Sequence, residues 1–247
     1  MTEKQTQNVQ EKDHASAREL RLAELVKRGA TMEEVAQLIE PVAKSPAEAV
    51  RLLKAGNARF FAGESSREEV SPLERRAHII AQSPFAVVLS CADSRVPVEL
   101  VFDQGFGQIF AIRVAGNVVA PSTLGSIEYA VLHLKPHVLV VMGHEGCGAV
   151  SAAMSLSDEQ LRKESDNIRL LIERIGPSVR DIPAIRDPKA RMREAVIANV
   201  RQQVHNAKEN TVVAAAVKRR QIAVIGAYYE ISSGAVDFLE TEAELRL

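Results

Sequence analysis

The sequence is poor in cysteine, has no long apolar run and carries almost no net charge. Its two cysteines, Cys91 and Cys147, could form at most one disulfide, and in a reducing compartment a pair of thiols favours a metal site or catalysis. No stretch approaches the ~18 apolar residues of a transmembrane helix. The formal net charge is -1. A chain so close to neutral gives no sign of the basic surface that binds nucleic acid or an anionic membrane, so we expect neither as a partner.

The sequence also lacks the motifs of export and of nucleotide binding. Its first residues are polar and contain no apolar h-region, so we expect a soluble, cytoplasmic protein. It has no dinucleotide or P-loop glycine fingerprint, no internal repeat and no low-complexity tract. The partner that these absences favour is a small molecule or another protein.

The beginning of the chain predicts a helical arm. Gly29 can end one short helix, and Thr31 followed by Glu34 is a capping-box pattern that begins the next. At 247 residues the chain is long enough for a large domain that carries an arm. We therefore predict an N-terminal helical arm over 1–44 and a main α/β domain over 45–247. The arm would wrap a neighbouring protomer or, alternatively, recruit a partner.

The main domain predicts strands that alternate with helices. Ser45 as N-cap and Pro46 at the first helical position begin its first helix. Later short runs are apolar at nearly every position, which is typical of strands covered on both faces. These runs are 85–91, 108–114, 137–143 and 221–229. A helix at 122–135 between the second and third runs implies a right-handed parallel crossover.

The last third of the chain completes the predicted fold. Residues 189–220 predict one or two helices, with apolar side chains on one stripe. The segment 228–240 has a Ser-Ser-Gly turn between alternating stretches, which predicts a hairpin. The expected class is α/β: a mostly parallel central sheet flanked by helices, with an antiparallel edge strand and the N-terminal arm.

Polar side chains follow two of the predicted strands at the point where each strand ends. Cys91, Asp93 and Arg95 alternate after the first strand, and an extended chain places such residues on one side. His144 and Cys147 follow the third strand. Because open α/β sheets bind ligands at the carboxyl ends of their strands, we expect these groups to meet there if the two strands are neighbours.

Two thiolates and an imidazole suit Zn²⁺, and three protein ligands leave a fourth position open, as catalytic zinc requires. Zinc-bound water ionises near pH ~7 and supplies hydroxide. Asp93, held ionised by Arg95, could orient that water and accept its proton. Asp93 could instead coordinate the zinc and close the site, either as a resting state or as a permanent structural ligand. A helix beginning at Cys147 would favour its thiolate.

Each of these residues also has a purely structural interpretation. A cysteine at a strand end is usually a small buried apolar residue, and an Asp-x-Arg pair is usually a structural ion pair. Only their combination at two strand ends favours zinc catalysis over packing.

The same stretches resemble the β-class carbonic anhydrases. "CADSRVPVELVFDQGFGQIFAIRVAGNVV" and "GSIEYAVLHLKPHVLVVMGHEGCGAV" are similar to the two signature regions of that family, and the resemblance extends over roughly residues 45–240. It implies reversible hydration of carbon dioxide to bicarbonate and a proton. It also implies a mostly parallel sheet and obligate homodimers that often pair into tetramers.

The resemblance assigns roles residue by residue. It makes Cys91, His144 and Cys147 the ligands of one Zn²⁺ per subunit. It makes Asp93 and Arg95 the catalytic dyad that orients the water on the zinc.

The resemblance also implies a substrate pocket. Gln82 matches a glutamine that helps to hold substrate, usually across the dimer interface. Phe110, Ala115 and Tyr129 fall where the family lines its pocket, and Gly148 matches a glycine whose backbone lies close to the site. A turn cap at Gln82 and packing roles for the aromatic and alanine positions are the alternatives.

One position differs from the regulated members of the family. Members that are closed by bicarbonate at a second site resemble one another in a tryptophan three residues before the first cysteine, where this chain has Val88. Arg113 matches another part of that second site. We therefore expect an open, water-bearing zinc.

Two other functions and one role stay open at this point. Hydrolases of carbonyl sulfide or carbon disulfide look like the same family and share its zinc site, and a non-catalytic protein could use the zinc as a scaffold. No histidine is marked as a proton shuttle, since His133, His137 and His205 all fit surface or helix positions.

Overall fold

The structure is a computed structural model, and it describes residues 24–25, 27–31, 34, 36, 39, 41–67, 70 and 72–240. The chain forms two compact units, one from 1–40 and 69–83 and the other from 41–68 and 84–247. The predicted division of the chain after residue 44 stays a prediction. Within the described residues, every helix is too short or too polar to cross a bilayer.

The described helices and strands are named here in chain order. The helices are α1 (Pro46–Ala62), α2 (Pro72–Ala77), α3 (Val98–Val101), α4 (Pro121–Tyr129), α5 (Gly148–Ser155), α6 (Asp158–Lys163), α7 (Asp166–Val179), α8 (Pro188–Glu209) and α9 (Thr211–Lys218). The strands are β1 (Ala86–Ser90), β2 (Ile109–Arg113), β3 (Val138–His144), β4 (Ala223–Tyr229) and β5 (Val236–Phe238). A 3₁₀ turn covers Ala115–Asn117, and a π-helical segment covers Ala130–Leu134.

The strands form one sheet in the order β2-β1-β3-β4-β5. Neighbouring strands from β2 to β4 are parallel, and β5 is antiparallel to β4. Every residue of β1, β3 and β4 is buried, as runs without polar alternation predicted. The predicted fold class, with its parallel centre and antiparallel edge strand, is confirmed.

Two apolar layers cover the faces of this sheet. On one face Leu89 and Val141 belong to a core that includes Val200 of α8. On the other face Val88 belongs to a core that includes Leu53 of α1. Complete burial of such side chains stabilises the fold by about 1.5–3 kcal/mol each. The sheet that carries the strand ends is therefore held from both sides.

α8 lies close to β3 because a glycine leaves room for it. A Cβ built on Gly143 would lie 2.5 Å from Val196 Cγ1 and 2.7 Å from Val200 Cγ2. Because both distances are far below an ordinary van der Waals contact, this position excludes any larger residue unless α8 moves. Gly143 directly precedes the last residue of β3, His144.

Local signals fix the helix ends as predicted. Ser45 Oγ accepts a hydrogen bond from Glu48 N at 3.2 Å, and Gly63, with φ 72°, ends α1. The predicted helical segment 189–220 is two helices, because the Asn210 side chain accepts hydrogen bonds from two amides in the first turn of α9 and begins a new helix.

The unit from 1–40 and 69–83 contains sequence features from which the arm was predicted. Thr31 N donates to Glu34 Oε2 at 2.9 Å, and Glu34 N donates to Thr31 Oγ1 at 3.3 Å, so the predicted capping box is present. Gly29, with φ 73°, precedes it as predicted. Most of the two predicted arm helices lie outside the described residues.

The helix expected at 122–135 differs from the prediction in its last turn. α4 passes into the π-helical segment, whose last bond runs from Lys135 N to Ala130 O at 2.9 Å. Lys135 has φ 53°, and the following residue is Pro136, which disfavours the right-handed helical region for the residue before it. Apolar spacing did not predict the wider turn, and it did not predict α2, α3, α6 or α7.

Candidate active site

Three metal-binding side chains converge at the carboxyl edge of the sheet. The ligand atoms of Cys91, His144 and Cys147 all lie within 4.8 Å of one another, and all three residues are buried. Cys91 follows β1, His144 ends β3, and Cys147 is the N-cap of α5. Since Ser90 of β1 pairs with Met142 of β3, the two strands end side by side and bring the three residues together, as the sequence predicted.

The imidazole of His144 is oriented by a backbone carbonyl. Its Nδ1 lies 2.9 Å from Glu145 O, and since a carbonyl oxygen only accepts, Nδ1 carries the hydrogen. Nε2 is buried and has no hydrogen-bond partner among the described residues. This is the tautomer in which Nε2 presents a free lone pair to the two cysteines.

The two thiols share a proton. A hydrogen bond from Cys147 is the main cause that lowers the pKa of Cys91 to about 4, and the backbone amides of Asp93 and Gly116 also favour its thiolate. The same contact with Cys91, together with burial, raises the pKa of Cys147. We predicted a thiolate at Cys147 from its helix-start position. The α5 amides do lower its pKa, but the thiolate of Cys91 outweighs them.

A carboxylate and a guanidinium form a bidentate pair beside the cysteines. Arg95 Nε donates to Asp93 Oδ1 at 3.0 Å, and Arg95 Nη2 donates to Asp93 Oδ2 at 2.8 Å. These bonds hold the pKa of the Asp93 carboxyl well below its usual range. The pair is therefore ionised at neutral pH and has a fixed geometry.

The pair forms for a different reason than the one predicted. β1 ends at Ser90 and the chain turns at residues 94–95, so strand alternation does not extend as far as Arg95. Instead Arg95 N donates to Asp93 Oδ1 at 2.9 Å, an Asx turn in which the side chain holds the backbone two residues ahead. Asp93 N in turn lies 3.4 Å from Cys91 Sγ.

Arg113 supports this turn from the neighbouring strand. Its Nε donates to Cys91 O at 3.1 Å, and its Nη2 donates to Asp93 O at 2.5 Å. The sequence suggested Arg113 only as part of a second bicarbonate site. Its contacts with two backbone carbonyls could not be read from the sequence, because they depend on how β2 pairs with β1.

The predicted pocket residues lie in several places. Phe110 of β2 is half-buried, and its ring centroid lies 6.2 Å from that of Tyr129, which is 47% exposed. Ala115 begins the 3₁₀ turn, and Gly148 begins α5 directly after Cys147. Gln82 is an exposed residue of the other unit.

A turn residue that the sequence did not mark also belongs to the site. Glu145 separates His144 from Gly146, and besides its carbonyl it uses its carboxylate, whose Oε2 accepts from Ser232 N at 2.9 Å. This bond lowers the pKa of the Glu145 carboxyl. No sequence signal points to it, because its partner lies in the β4–β5 hairpin.

The chain matches known proteins along most of its length. A family model described as "Carbonic anhydrase" matches residues 86–236. A curated carbonic anhydrase of Mycolicibacterium smegmatis is 39% identical over 195 residues, which cover 78% of this chain and 93% of that protein. Carbonic anhydrase 2 of Mycobacterium tuberculosis is 36% identical over 192 residues, which cover 77% of this chain and 91% of that protein.

Solved structures with the same architecture support this match. A β-carbonic anhydrase of Sordaria macrospora, described as tetrameric, has a TM-score of 0.60 at 27% identity and covers 66% of this chain and 84% of its own. The Coccomyxa β-carbonic anhydrase in complex with acetazolamide has a TM-score of 0.58 at 26% identity and covers 80% of this chain and 89% of its own.

Proposed function

Because the chain belongs to the β-class carbonic anhydrase family, we propose that it catalyses the reversible hydration of carbon dioxide to bicarbonate and a proton. The observation that carries this proposal is the cluster of Cys91, His144 and Cys147 beside an ionised carboxylate. The cluster brings together the donor types of a catalytic zinc site in one buried place.

The chemistry of these donors fits Zn²⁺. Nε2 of His144 is a buried acceptor without a partner in the described part of the chain, and such an atom costs free energy unless something binds it. The two thiols lie in contact, and their interaction lowers the pKa of Cys91. Both would bind the ion as thiolates. We assign one Zn²⁺ to these three residues. When bound, the ion supplies a Lewis acid that lowers the pKa of water to about 7, so that hydroxide is available at neutral pH.

In this proposal Asp93 and Arg95 orient the reacting water. The carboxylate keeps lone pairs beyond those that Arg95 occupies, and one of them can accept a hydrogen bond from a water molecule in the site. Since the pKa of Asp93 is far below neutral, its carboxylate stays a hydrogen-bond acceptor but is a weak base for the proton of a water molecule. We therefore give the pair an orienting role, and the proton leaves to solvent.

Arg95 also bears on whether the site is open. Both oxygens of Asp93 accept bonds from Arg95, so in this arrangement the carboxylate is engaged away from the three ligands. Val88, completely buried in β1, offers none of the hydrogen bonds of a tryptophan. We propose an open site. Cooperative loss of activity as pH falls through neutrality, together with inhibition by bicarbonate, would contradict it.

The substrate pocket is the least constrained part of the proposal. We assign Phe110, Ala115 and Tyr129 to its apolar lining, Gly148 to its backbone and Gln82 to substrate contact from a second subunit. Because carbon dioxide is small and apolar, an apolar lining with few polar groups suits it. A shared site of this kind requires at least a homodimer, and we propose dimers that pair into tetramers in the cytoplasm. A monomeric mass in light scattering would contradict the shared site.

Stopped-flow hydration of carbon dioxide by the zinc-loaded protein tests the function. We expect fast hydration by the parent and its loss in Cys147→Ser, which removes a ligand but keeps the side-chain volume. Circular dichroism of both proteins shows whether the variant is folded.

Absence of hydration by the zinc-loaded parent would refute the proposal. If that protein released hydrogen sulfide from carbonyl sulfide or carbon disulfide, the same site would serve a hydrolase instead. If it did neither, the zinc would have a scaffold role.

A further inference from the structure

Glu145 connects the ligand turn to a distant part of the chain with three hydrogen bonds. Its carbonyl accepts from His144 Nδ1 at 2.9 Å. Its amide donates to Tyr229 O at 2.9 Å. Its carboxylate accepts from Ser232 N at 2.9 Å. One residue thus contacts both a proposed zinc ligand and the hairpin that joins β4 to β5.

The hairpin is a firm anchor because α1 holds it. Asn57, which is only 7% exposed, donates from Nδ2 to Gly234 O at 2.9 Å and to Val101 O at 3.0 Å. Its Oδ1 accepts from Val236 N at 2.9 Å. Two bonds from this buried amide fix the base of the hairpin, and the third ties the amide to α3, so the amide of Ser232 is a donor in a defined place.

The turn that carries the ligands is held at its two ends, because His144 pairs with Tyr229 in the sheet and Cys147 is the N-cap of α5. Between His144 and Cys147 the chain reverses through Gly146, which has φ 65°. A Cβ built on Gly146 would meet nothing within 4 Å, so no packed neighbour restrains the turn at that point. Between these ends, the bonds that Glu145 makes are what join the middle of the turn to the rest of the fold.

We propose that Glu145 is a positioning residue for the zinc ligands His144 and Cys147, and that the hydrogen bond from Ser232 N to its carboxylate sets the zinc affinity. This inference rests on the zinc site proposed above. The bond keeps the carbonyl of Glu145 facing Nδ1, which fixes the tautomer and the plane of the ring. It also keeps Cys147 at the distance from His144 that the ligand set needs.

In this proposal Glu145 acts through a hydrogen-bond acceptor at the right distance from its backbone, and its negative charge is not required. A glutamine has the same length, and its Oε1 can accept the amide of Ser232. An aspartate keeps the charge but is one methylene shorter, and an alanine has no acceptor. The effect of side-chain length can therefore be distinguished from the effect of charge by comparing Glu145→Gln, Glu145→Asp and Glu145→Ala.

The experiment measures the zinc dissociation constant of the full chain by competition with a chromophoric chelator. Loss of an outer hydrogen bond to a metal ligand typically weakens binding about 10- to 100-fold. We expect a loss near the lower end, about 10-fold, for the alanine and aspartate variants, and parent-like affinity for the glutamine variant. The visible spectrum of the Co²⁺-substituted protein should shift in the first two and not in the third.

A matched control lies in the same hairpin. Glu230 also carries a carboxylate with a local hydrogen bond, accepted from Ser233 Oγ at 2.5 Å, and within the described residues no hydrogen bond joins its side chain to the ligand turn. Glu230→Ala should leave the zinc affinity and the Co²⁺ spectrum unchanged, even if it lowers the melting temperature.

Three results would overturn the inference: parent-like affinity in Glu145→Ala, equal weakening in Glu145→Gln and Glu145→Ala, or equal weakening in Glu230→Ala. If the alanine variant does not fold, the comparison of the aspartate and glutamine variants decides. A parent protein that binds no zinc at all would instead refute the proposed function, and this inference with it.

Discussion

At the scale of single residues, the contact between Asp93 and Arg95 shows how a charged pair is built into a turn. The guanidinium binds both carboxylate oxygens, while the Arg95 amide binds one of them as well. Five atoms of the two residues are thus joined by three hydrogen bonds within one turn. An arginine matches this arrangement because its donors lie in a rigid plane, which a lysine cannot reproduce.

Replacing Arg95 by glutamine tests that arrangement. Because Arg95 holds the pKa of Asp93 low, we expect the variant to raise that pKa toward its ordinary value of about 3.9. As the pH falls from about 6 to about 4, the Asp93 carboxyl should begin to titrate in the variant and stay ionised in the parent. Carboxyl ¹³C chemical shifts measure this difference.

The same variant should lose activity at neutral pH. A carboxylate without its bidentate partner can rotate away, and misplacement by about 1 Å can cost about 100-fold in rate. Arg95→Lys keeps the charge and should restore little of the loss. Equal activity in the parent and in Arg95→Gln would contradict the orienting role.

Most of the site residues that could be predicted from the sequence were found from their residue type. Cys91, His144 and Cys147 could be found because soft ligands at strand ends are uncommon and because the topology brings such ends together. Arg113 and Glu145 could not, since each acts through backbone atoms of segments remote in sequence. An arginine or a glutamate in the sequence gives no sign of which carbonyl or amide it will meet.

At the scale of elements, α8 approaches β3 closely at Gly143. This approach brings two valines of α8 to the space where Gly143 has no side chain. β3 supplies His144, so the packing of α8 bears on the strand that carries a ligand. This contact joins the core to the site.

Gly143→Ala should therefore destabilise the protein. The added methyl group would overlap both valines, and overpacking of a core typically costs about 1–3 kcal/mol. Gly125→Ala is the control, because Gly125 is exposed in α4 and a Cβ there meets nothing within 4 Å. In that helix alanine should stabilise by up to about 1 kcal/mol. Urea denaturation midpoints compare the two, and a neutral Gly143→Ala would mean that α8 adjusts freely.

The helices and strands that could be predicted were those with a simple signal in the sequence. β1, β3 and β4 appeared as apolar runs because they are covered on both faces. β2 was predicted in the same way, but it is an edge strand in which only Ile112 is buried. α1 began at its Ser-Pro signal. The π-helical segment was not predictable, since its last turn is set by Lys135 and Pro136 and not by apolar spacing.

α6 and α7, between β3 and α8, were missed although their signals are in the sequence. α6 begins with a capping box of Ser157 and Gln160, and α7 buries Ile172, Ile175 and Val179 on one face.

At the scale of the whole molecule, the proposed zinc ligands lie at the ends of two adjacent strands, β1 and β3, and at the start of α5. The ligand set is therefore assembled in the folded chain and not in the unfolded one. A ligand that binds only the folded state adds to its stability by mass action. Zinc should thus act on the stability of the entire sheet.

We expect the melting temperature to rise with free zinc. At a concentration 100 times the dissociation constant the gain is about 2.7 kcal/mol, which for a chain of this size corresponds to roughly 5–10 °C. Differential scanning fluorimetry at buffered zinc concentrations measures it, and Cys147→Ser should show little of the shift. A melting temperature that did not depend on zinc in the parent would contradict a folded-state site.

The hydrogen bond between Glu145 and the hairpin also has a consequence during translation. His144 and Cys147 are translated about 85 residues before Tyr229 and Ser232, the residues that hold their turn. At about 5–20 residues per second the ribosome needs roughly 4–17 s to cover that distance. During that interval a growing chain has all three metal-binding side chains but not yet the anchor of the turn. Acquisition of a tightly held metal is therefore an event of the finished chain.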